Sequence, residues 1–183
     1  KKAYGRSVNW GDYNNDGWID IHVGNYRLCP NYLWRNDRDG TFTDVAAETN
    51  TTGDYDDDRY YDQQAQDTYG DGTWGPTYGH TIGSAWGDLD NDGDLDLWDS
   101  NLVHKYVGPT NWPNMPYDIR GYVCDDSKIY ENSGAPGYVF SDMRPTSGIA
   151  YKPIGGQGKY IGDELWSGVA MGDYDNDGDL DVF

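Results

Sequence analysis

The sequence predicts an all-β protein assembled from repeated four-stranded units, each organised around an Asp-rich loop. Three observations carry that expectation. One stretch recurs in a single register, as SVNWGDYNNDGWIDIHV from residue 7, GSAWGDLDNDGDLDLWD from residue 83 and SGVAMGDYDNDGDLDVF from residue 167. A second motif follows the first two copies, NYLWRNDRDGTFTDVAAET at 31–49 and SKIYENSGAPGYVFSDMRPTSGI at 127–149. Helical periodicity is almost missing, while 25 glycines suit short strands joined by tight turns.

Within each repeat the apolar–polar alternation on either side of the Asp-rich loop reads as an inner hairpin. The second motif reads as an outer hairpin, an apolar–aromatic pair and an Asn leading into the turn RDGT or GAPG and then a Phe. Two hairpins make four strands per repeat. The best helical candidate, DVAAET, is about one turn and too short to stand without packing. The expected units are 1–81, 82–166 and 167–183, the last being only the first hairpin of a third repeat. Polar, turn-rich insertions at 53–80 and 101–122 interrupt the first two. Insertions into a regular repeat gather on one face, often the binding face.

The 183 residues carry a formal charge of −19, with 36% hydrophobic residues and 15% aromatics, 17 Tyr and 8 Trp among them. Disordered acidic chains are poor in aromatics, so a packed core is expected. Nucleic acid is disfavoured as a partner because no basic face is visible to meet phosphate. Anionic membrane surfaces are disfavoured on the same ground, and no apolar run is long enough to span a bilayer. KKAYGRSVNW has no signal-peptide pattern. Cys29 and Cys124 leave one disulfide and two thiols equally open, and Asn50 heads an N-T-T sequon.

The loops read D-x-N-x-D-G-x-x-D at 12–20 and D-x-D-x-D-G-x-x-D at 88–96 and 173–181. Oxygen donors therefore fall at loop positions 1, 3, 5 and 9, with Gly17, Gly93 or Gly178 at position 6. Hard cations take six to eight oxygens, and alternate residues of a tight loop converge on one point. The expected side-chain ligands are Asp12, Asn14, Asp16 and Asp20; Asp88, Asp90, Asp92 and Asp96; and Asp173, Asp175, Asp177 and Asp181. Trp18, Asp94 and Asp179 at position 7 would contribute main-chain carbonyls, leaving the Asp94 side chain in solvent. An indole cannot ligate a cation, which supports the carbonyl assignment. Position 12 never holds the bidentate Glu of an EF-hand. Calcium, one ion per loop, is preferred to magnesium, which keeps its waters, and its binding is expected to be part of the folding free energy.

WGDYNNDGWIDI, WGDLDNDGDLDL and MGDYDNDGDLDV, with NDRDGTFTDV downstream, resemble the FG-GAP / VCBS repeats. The resemblance implies four-stranded blades of a β-propeller, as in the integrin α-subunit headpiece, with calcium in the loop between the first two strands of each blade. It covers two blades and the first hairpin of a third. Fewer than three full repeats leave apolar faces at both ends, to be covered by more chain or by neighbouring copies.

Catalytic signatures are absent. His22, His80 and His104 are scattered, there is no nucleophile elbow or P-loop, and GDGTWG at 70–75 has no strand-then-helix context. The expected function is a non-enzymatic, extracellular calcium-binding module for adhesion or for binding a protein or glycan. The alternatives are a fibre protomer stacking head to tail with further copies of itself and, least favoured, a propeller-fold hydrolase or lyase acting on glycans. Trp10, Trp34, Trp86 and Tyr130 are expected in the core. Tyr60, Tyr61, Tyr69, Trp74, Tyr78, Tyr106, Trp112 and Tyr117 lie in the insertions and are available to a ligand or to local packing. Asp54, Asp56, Asp57, Asp58, Asp67 and Asp71 are either a further cation site or a solvated face.

Overall fold

The computed structural model describes residues 3–26, 29–53, 78–101, 104–105, 122–123, 127–149 and 168–183. Most of both insertions lies outside these, so the aromatic and acidic residues assigned there, Tyr78 excepted, and Cys124 are not placed.

The first repeat forms β1 (Gly5–Gly11), β2 (Asp20–Asn25), β3 (Tyr32–Asn36) and β4 (Phe42–Asp44), an antiparallel sheet in chain order, followed by the single turn α1 (Ala46–Thr49). The second supplies β5 (Thr81–Gly87) and β6 (Asp96–Asn101). Its insertion contributes a separate two-stranded pair, β7 (His104–Lys105) and β8 (Tyr122–Val123). β9 (Lys128–Asn132) and β10 (Phe140–Asp142) then complete a sheet ordered β10-β9-β6-β5, and a 3-10 turn at Arg144–Thr146 occupies the place of α1. β11 (Met171–Gly172) and β12 (Asp181–Val182) form the third inner hairpin. The all-β expectation and the two hairpins in each of the first two repeats are met, and among the described residues no sheet closes on itself. No helix among the described residues is long and apolar enough to cross a membrane.

Register determines which residues meet. Trp10 pairs Ile21 and Ile21 pairs Trp34, whereas Asn9 pairs His22 and His22 pairs Leu33. Residues opposite one another share a face, so the first sheet has a Trp10–Ile21–Trp34 face and a His22–Leu33 face. The second sheet packs on the latter through Trp86, Leu97 and Tyr130, which share a face in their turn. Tyr13, Leu33, Val45, Ala46, Leu97, Tyr130 and Phe140 make the buried core between them. Every residue of β6 is buried.

The sheets also share polar contacts. Asn31 Nδ2 donates to Thr81 Oγ1 at 3.0 Å and to Asp99 Oδ2 at 2.9 Å, its Oδ1 accepts from Asn25 N at 2.7 Å, and the Ser7 and Ser84 hydroxyls lie 2.8 Å apart. His22 Nε2 sits 3.6 Å from Asp99 Oδ2 with both side chains fully buried. Burial holds the imidazole below its usual value and raises the carboxyl, which favours the neutral forms of both groups.

Two core expectations are corrected. Trp10 is 64% exposed and Trp34 only half-buried outside the core cluster, because their face of the first sheet has nothing packed on it among the described residues. Trp86, the equivalent residue of the second repeat, packs against the core, as Tyr130 does within it.

Candidate metal centre

Each Asp-rich loop joins the two strands of an inner hairpin, and its amides close on its own carboxylates. The position-1 carboxylate accepts from the amides of positions 5 and 6: Asp12 from Asp16 (3.0 Å) and Gly17 (2.7 Å), Asp88 from Asp92 (3.0 Å) and Gly93 (3.0 Å), Asp173 from Asp177 (3.1 Å) and Gly178 (3.1 Å). The position-5 carboxylate accepts from the amide of position 7: Asp16 from Trp18, Asp92 from Asp94 and Asp177 from Asp179. Gly17, Gly93 and Gly178 have φ of 85°, 95° and 101°, values that require glycine at the turn. Asn15, Asn91 and Asn176 at position 4 also lie in the left-handed region, with φ of 51°, 60° and 61°, which Asn tolerates better than most residues.

Position 9 ties the loop to the sheet. Asp96 Oδ2 accepts from Leu89 N and Oδ1 from Asn132 N of β9, each at 2.8 Å. Asp20 repeats this with Tyr13 N at 3.3 Å and Asn36 N of β3 at 2.8 Å. Asp181 accepts from Tyr174 N at 3.0 Å. Burial is the main reason Asp20 and Asp96 are both pushed up to about 6, against the pull of those amides and with help from the neighbouring acids Asp16 and Asp12, or Asp90 and Asp92. A cation in the loop would relieve that repulsion.

Two triads have carboxylate oxygens within 4.8 Å of one another: Asp88, Asp90 and Asp96 in the second loop, and Asp173, Asp175 and Asp177 in the third. Either could hold a metal ion. Together they draw on positions 1, 3, 5 and 9. The all-oxygen donor set suits a hard cation and offers nothing to a soft one. The first loop is different. Asn14 replaces the position-3 acid, and Arg38 Nη2 reaches Asp16 Oδ2 at 2.7 Å. Burial opposes ionisation of Asp16, but the Arg38 hydrogen bond and charge hold its carboxyl below the usual value. An open cavity of about 360 Å³ beside this loop is lined by Asn14, Asp16, Arg35, Asn36, Asp37 and Arg38.

The position-7 side chains depart from expectation. Asp94 is only half-exposed, and its Oδ1 accepts from Asn15 Nδ2 of the first loop at 2.5 Å; Asp179 Oδ1 accepts from Asn91 Nδ2 of the second at 2.7 Å. A ladder of Asn-to-Asp bonds therefore links each loop to the next. Trp18, with no loop before it among the described residues, is exposed. Apart from the turn glycine, the position-4 Asn was the one letter shared by all three loops at a non-ligand position. Asn36 and Asn132 were visible as the Asn that both outer hairpins share, though not as partners of position 9, and Arg38 gave no such signal. Compared with protein-family models and with curated protein sequences, the chain matches none.

Proposed function

We propose that the chain is a calcium-stabilised repeat module of an extracellular protein, in which the Asp-rich loops are structural and the insertions carry the surface that binds a protein or glycan. The observation that carries the reading is the convergence of acidic oxygens in two loops of identical register, which places like charges within 4.8 Å of one another. Such crowding is costly unless a cation compensates it. Asp88, Asp90 and Asp96 would hold one ion and Asp173, Asp175 and Asp177 another, while Asp92 and Asp181 complete the oxygen sets. Asp12, Asn14, Asp16 and Asp20 form a third, weaker site. The resemblance of the loops to FG-GAP / VCBS repeats supports the same reading, and with it a propeller-blade role for each sheet. Extracellular placement follows from supply, since weak all-oxygen sites fill at the millimolar calcium outside cells.

The test is a calcium titration of the chelator-treated protein, followed by calorimetry and by thermal unfolding with and without calcium. Two tighter sites, a third weaker one and a calcium-dependent rise in Tm are expected. A melting curve indifferent to calcium and chelator would overturn the proposal.

A further inference from the structure

Two asparagines outside the second loop hold residues 93–96 at its exit. Asn15 Nδ2, from position 4 of the first loop, donates to the Gly93 carbonyl at 3.2 Å and to Asp94 Oδ1 at 2.5 Å. Asn132 N donates to Asp96 Oδ1 at 2.8 Å. Its Nδ2 donates to the Leu95 carbonyl at 3.1 Å and, towards the first loop, to the Tyr13 carbonyl at 2.9 Å. A Cβ on Gly134 would collide with Asp94 Oδ2, so the Asp94 carboxylate lies between the first loop and the outer hairpin of its own repeat. The next junction repeats the main bond: Asn91 Nδ2 of the second loop donates to Asp179 Oδ1 of the third at 2.7 Å.

The exit of the loop is where orientation matters most to a cation. Position 7 is expected to give a main-chain carbonyl and position 9 a carboxylate. A carbonyl has no rotamer of its own and points where its residue is held. Within its own loop Asp94 is held by its amide, which donates to Asp92 Oδ1 at 2.9 Å. Its side chain is held from the loop before. Asn15 stands between Asn14 and Asp16 with φ of 51°, and Asn91 repeats the conformation at 60°. Gly or Asp would tolerate the same backbone. Gly has no amide to offer, however, and Asp would set a carboxylate against Asp94. The residue found at both junctions is the one that joins a left-handed backbone to a side-chain donor. Partners that orient metal ligands from outside contribute to affinity without touching the ion.

We propose that Asn15 is a positioning residue of the second metal site and Asn91 of the third, so that each of these sites is completed by an amide from the preceding loop. On the calcium reading of the loops, on which this rests, part of the affinity of each site is set by its neighbour. The brace consists of hydrogen bonds within the protein and needs no ion in the loop that supplies it. Position 4 therefore acts across the junction between repeats, while positions 1, 3, 5 and 9 act within one loop.

Amide NMR of the whole chain during a calcium titration reads the sites separately, because the Gly17, Gly93 and Gly178 amides each donate to the position-1 carboxylate of their own loop. Asn15→Gly keeps the left-handed backbone and removes the side-chain donor. Calcium binding read at Gly93 should weaken by about tenfold, the lower end for a residue that orients a metal ligand, while binding read at Gly17 changes by no more than about twofold. Asn91→Gly should weaken the site read at Gly178 and spare Gly93. A purely local role would weaken the loop that carries the substitution, so the crossed pattern is the signature. Asn15→Asp separates position from charge. Its added negative charge would by itself tighten calcium, yet it faces Asp94 with a carboxylate and should weaken the second site. Asn91→Gly and Asn15→Asp carry the test should Asn15→Gly lose the thermal transition of the parent chain. Losses confined to or larger in the substituted loop, a second site unchanged by Asn15→Gly, or one tightened by Asn15→Asp would overturn the proposal and leave the calcium reading standing. Glycine amides of the parent chain that ignore calcium would overturn both.

Discussion

The first and second Asp-rich loops share a backbone and differ in how their charge is balanced. Both place Asn and Gly in the left-handed region at positions 4 and 6, and both anchor the position-9 Asp on an Asn amide of the third strand of the sheet. The outer hairpins match as well: Arg38 and Gly134, two residues after that Asn, have φ of 65° and 62°. From this shared position the first repeat sends a guanidinium to Asp16. The second has no side chain there, and the Asp94 carboxylate fills the space a Cβ would need. One loop thus carries its own counter-charge, whereas the other gathers carboxylates that could hold a cation. The backbone sets the cage, and one residue outside it decides how much of the cage is available.

The largest expected effect tests whether the two repeats are one body at all. Leu97 is fully buried between the sheets. Leu97→Ala should cost about 2–5 kcal/mol, the range for a leucine truncated in a close-packed core. Chemical denaturation in calcium would measure it. If the junction couples the repeats, the single transition shifts as a whole; a second transition appearing at the parent midpoint would mean that the first sheet stands alone.

The loops themselves come next. Asp88→Asn should weaken the second site tenfold or more, an order-of-magnitude figure for losing a charged oxygen ligand worth about 1.5–3 kcal/mol. Asp12→Asn, the same change in the loop Arg38 already serves, should do less. Calorimetric titration would compare them, and equal losses would remove the distinction drawn between the loops.

Proton linkage gives a further handle. Asp20 and Asp96 are raised to about 6, and a cation binds only their ionised forms. Lowering the pH from 7 to 5 should therefore weaken calcium at either loop by roughly tenfold, with proton release measurable near pH 6. In the metal-free protein the sign reverses. The folded chain holds these protons more tightly than the unfolded one, whose carboxyls titrate near 4, so stability falls as pH rises from about 4 to about 6. A metal-free protein that gains stability over that window would contradict the burial argument for both groups.

What the sequence made legible was local. The loop spacing, the turn glycines and the two hairpins lie within short windows where periodicity and turn chemistry suffice, and the four-stranded sheets followed from them. What it hid depended on how the sheets stack. Trp10 reads like Trp86, and only the packing of a neighbour on one and not the other separates exposure from burial. Asp94 read as a solvated acid because its partner Asn15 is a loop away, and the Asn31 contacts to Thr81 and Asp99 span 50 and 68 residues. Asp99 occupies a register position held by Val23 in the first repeat, a break in the repeat pattern that pointed to something local without saying what.

The smallest expected effect bears most directly on the difference between the loops. Arg38→Ala removes a solvent-exposed ion pair, of a kind that contributes little, and so should change overall stability very little. Its consequence for the metal runs the other way. Asp16 loses its guanidinium partner, both of its oxygens become available to a cation, and the positive charge that repels calcium from the first loop is gone. The first site should tighten by a few-fold at most, as removal of an exposed charge allows, while the second and third do not move. Placing Arg at position 134 is not the mirror experiment, because Asp94 occupies that space. A titration of Arg38→Ala resolved into its separate sites would read the effect. Tightening confined to the first loop would tie its weakness to Arg38, whereas an unchanged first site would shift the cause to Asn14, the one ligand position at which the first loop lacks an acid.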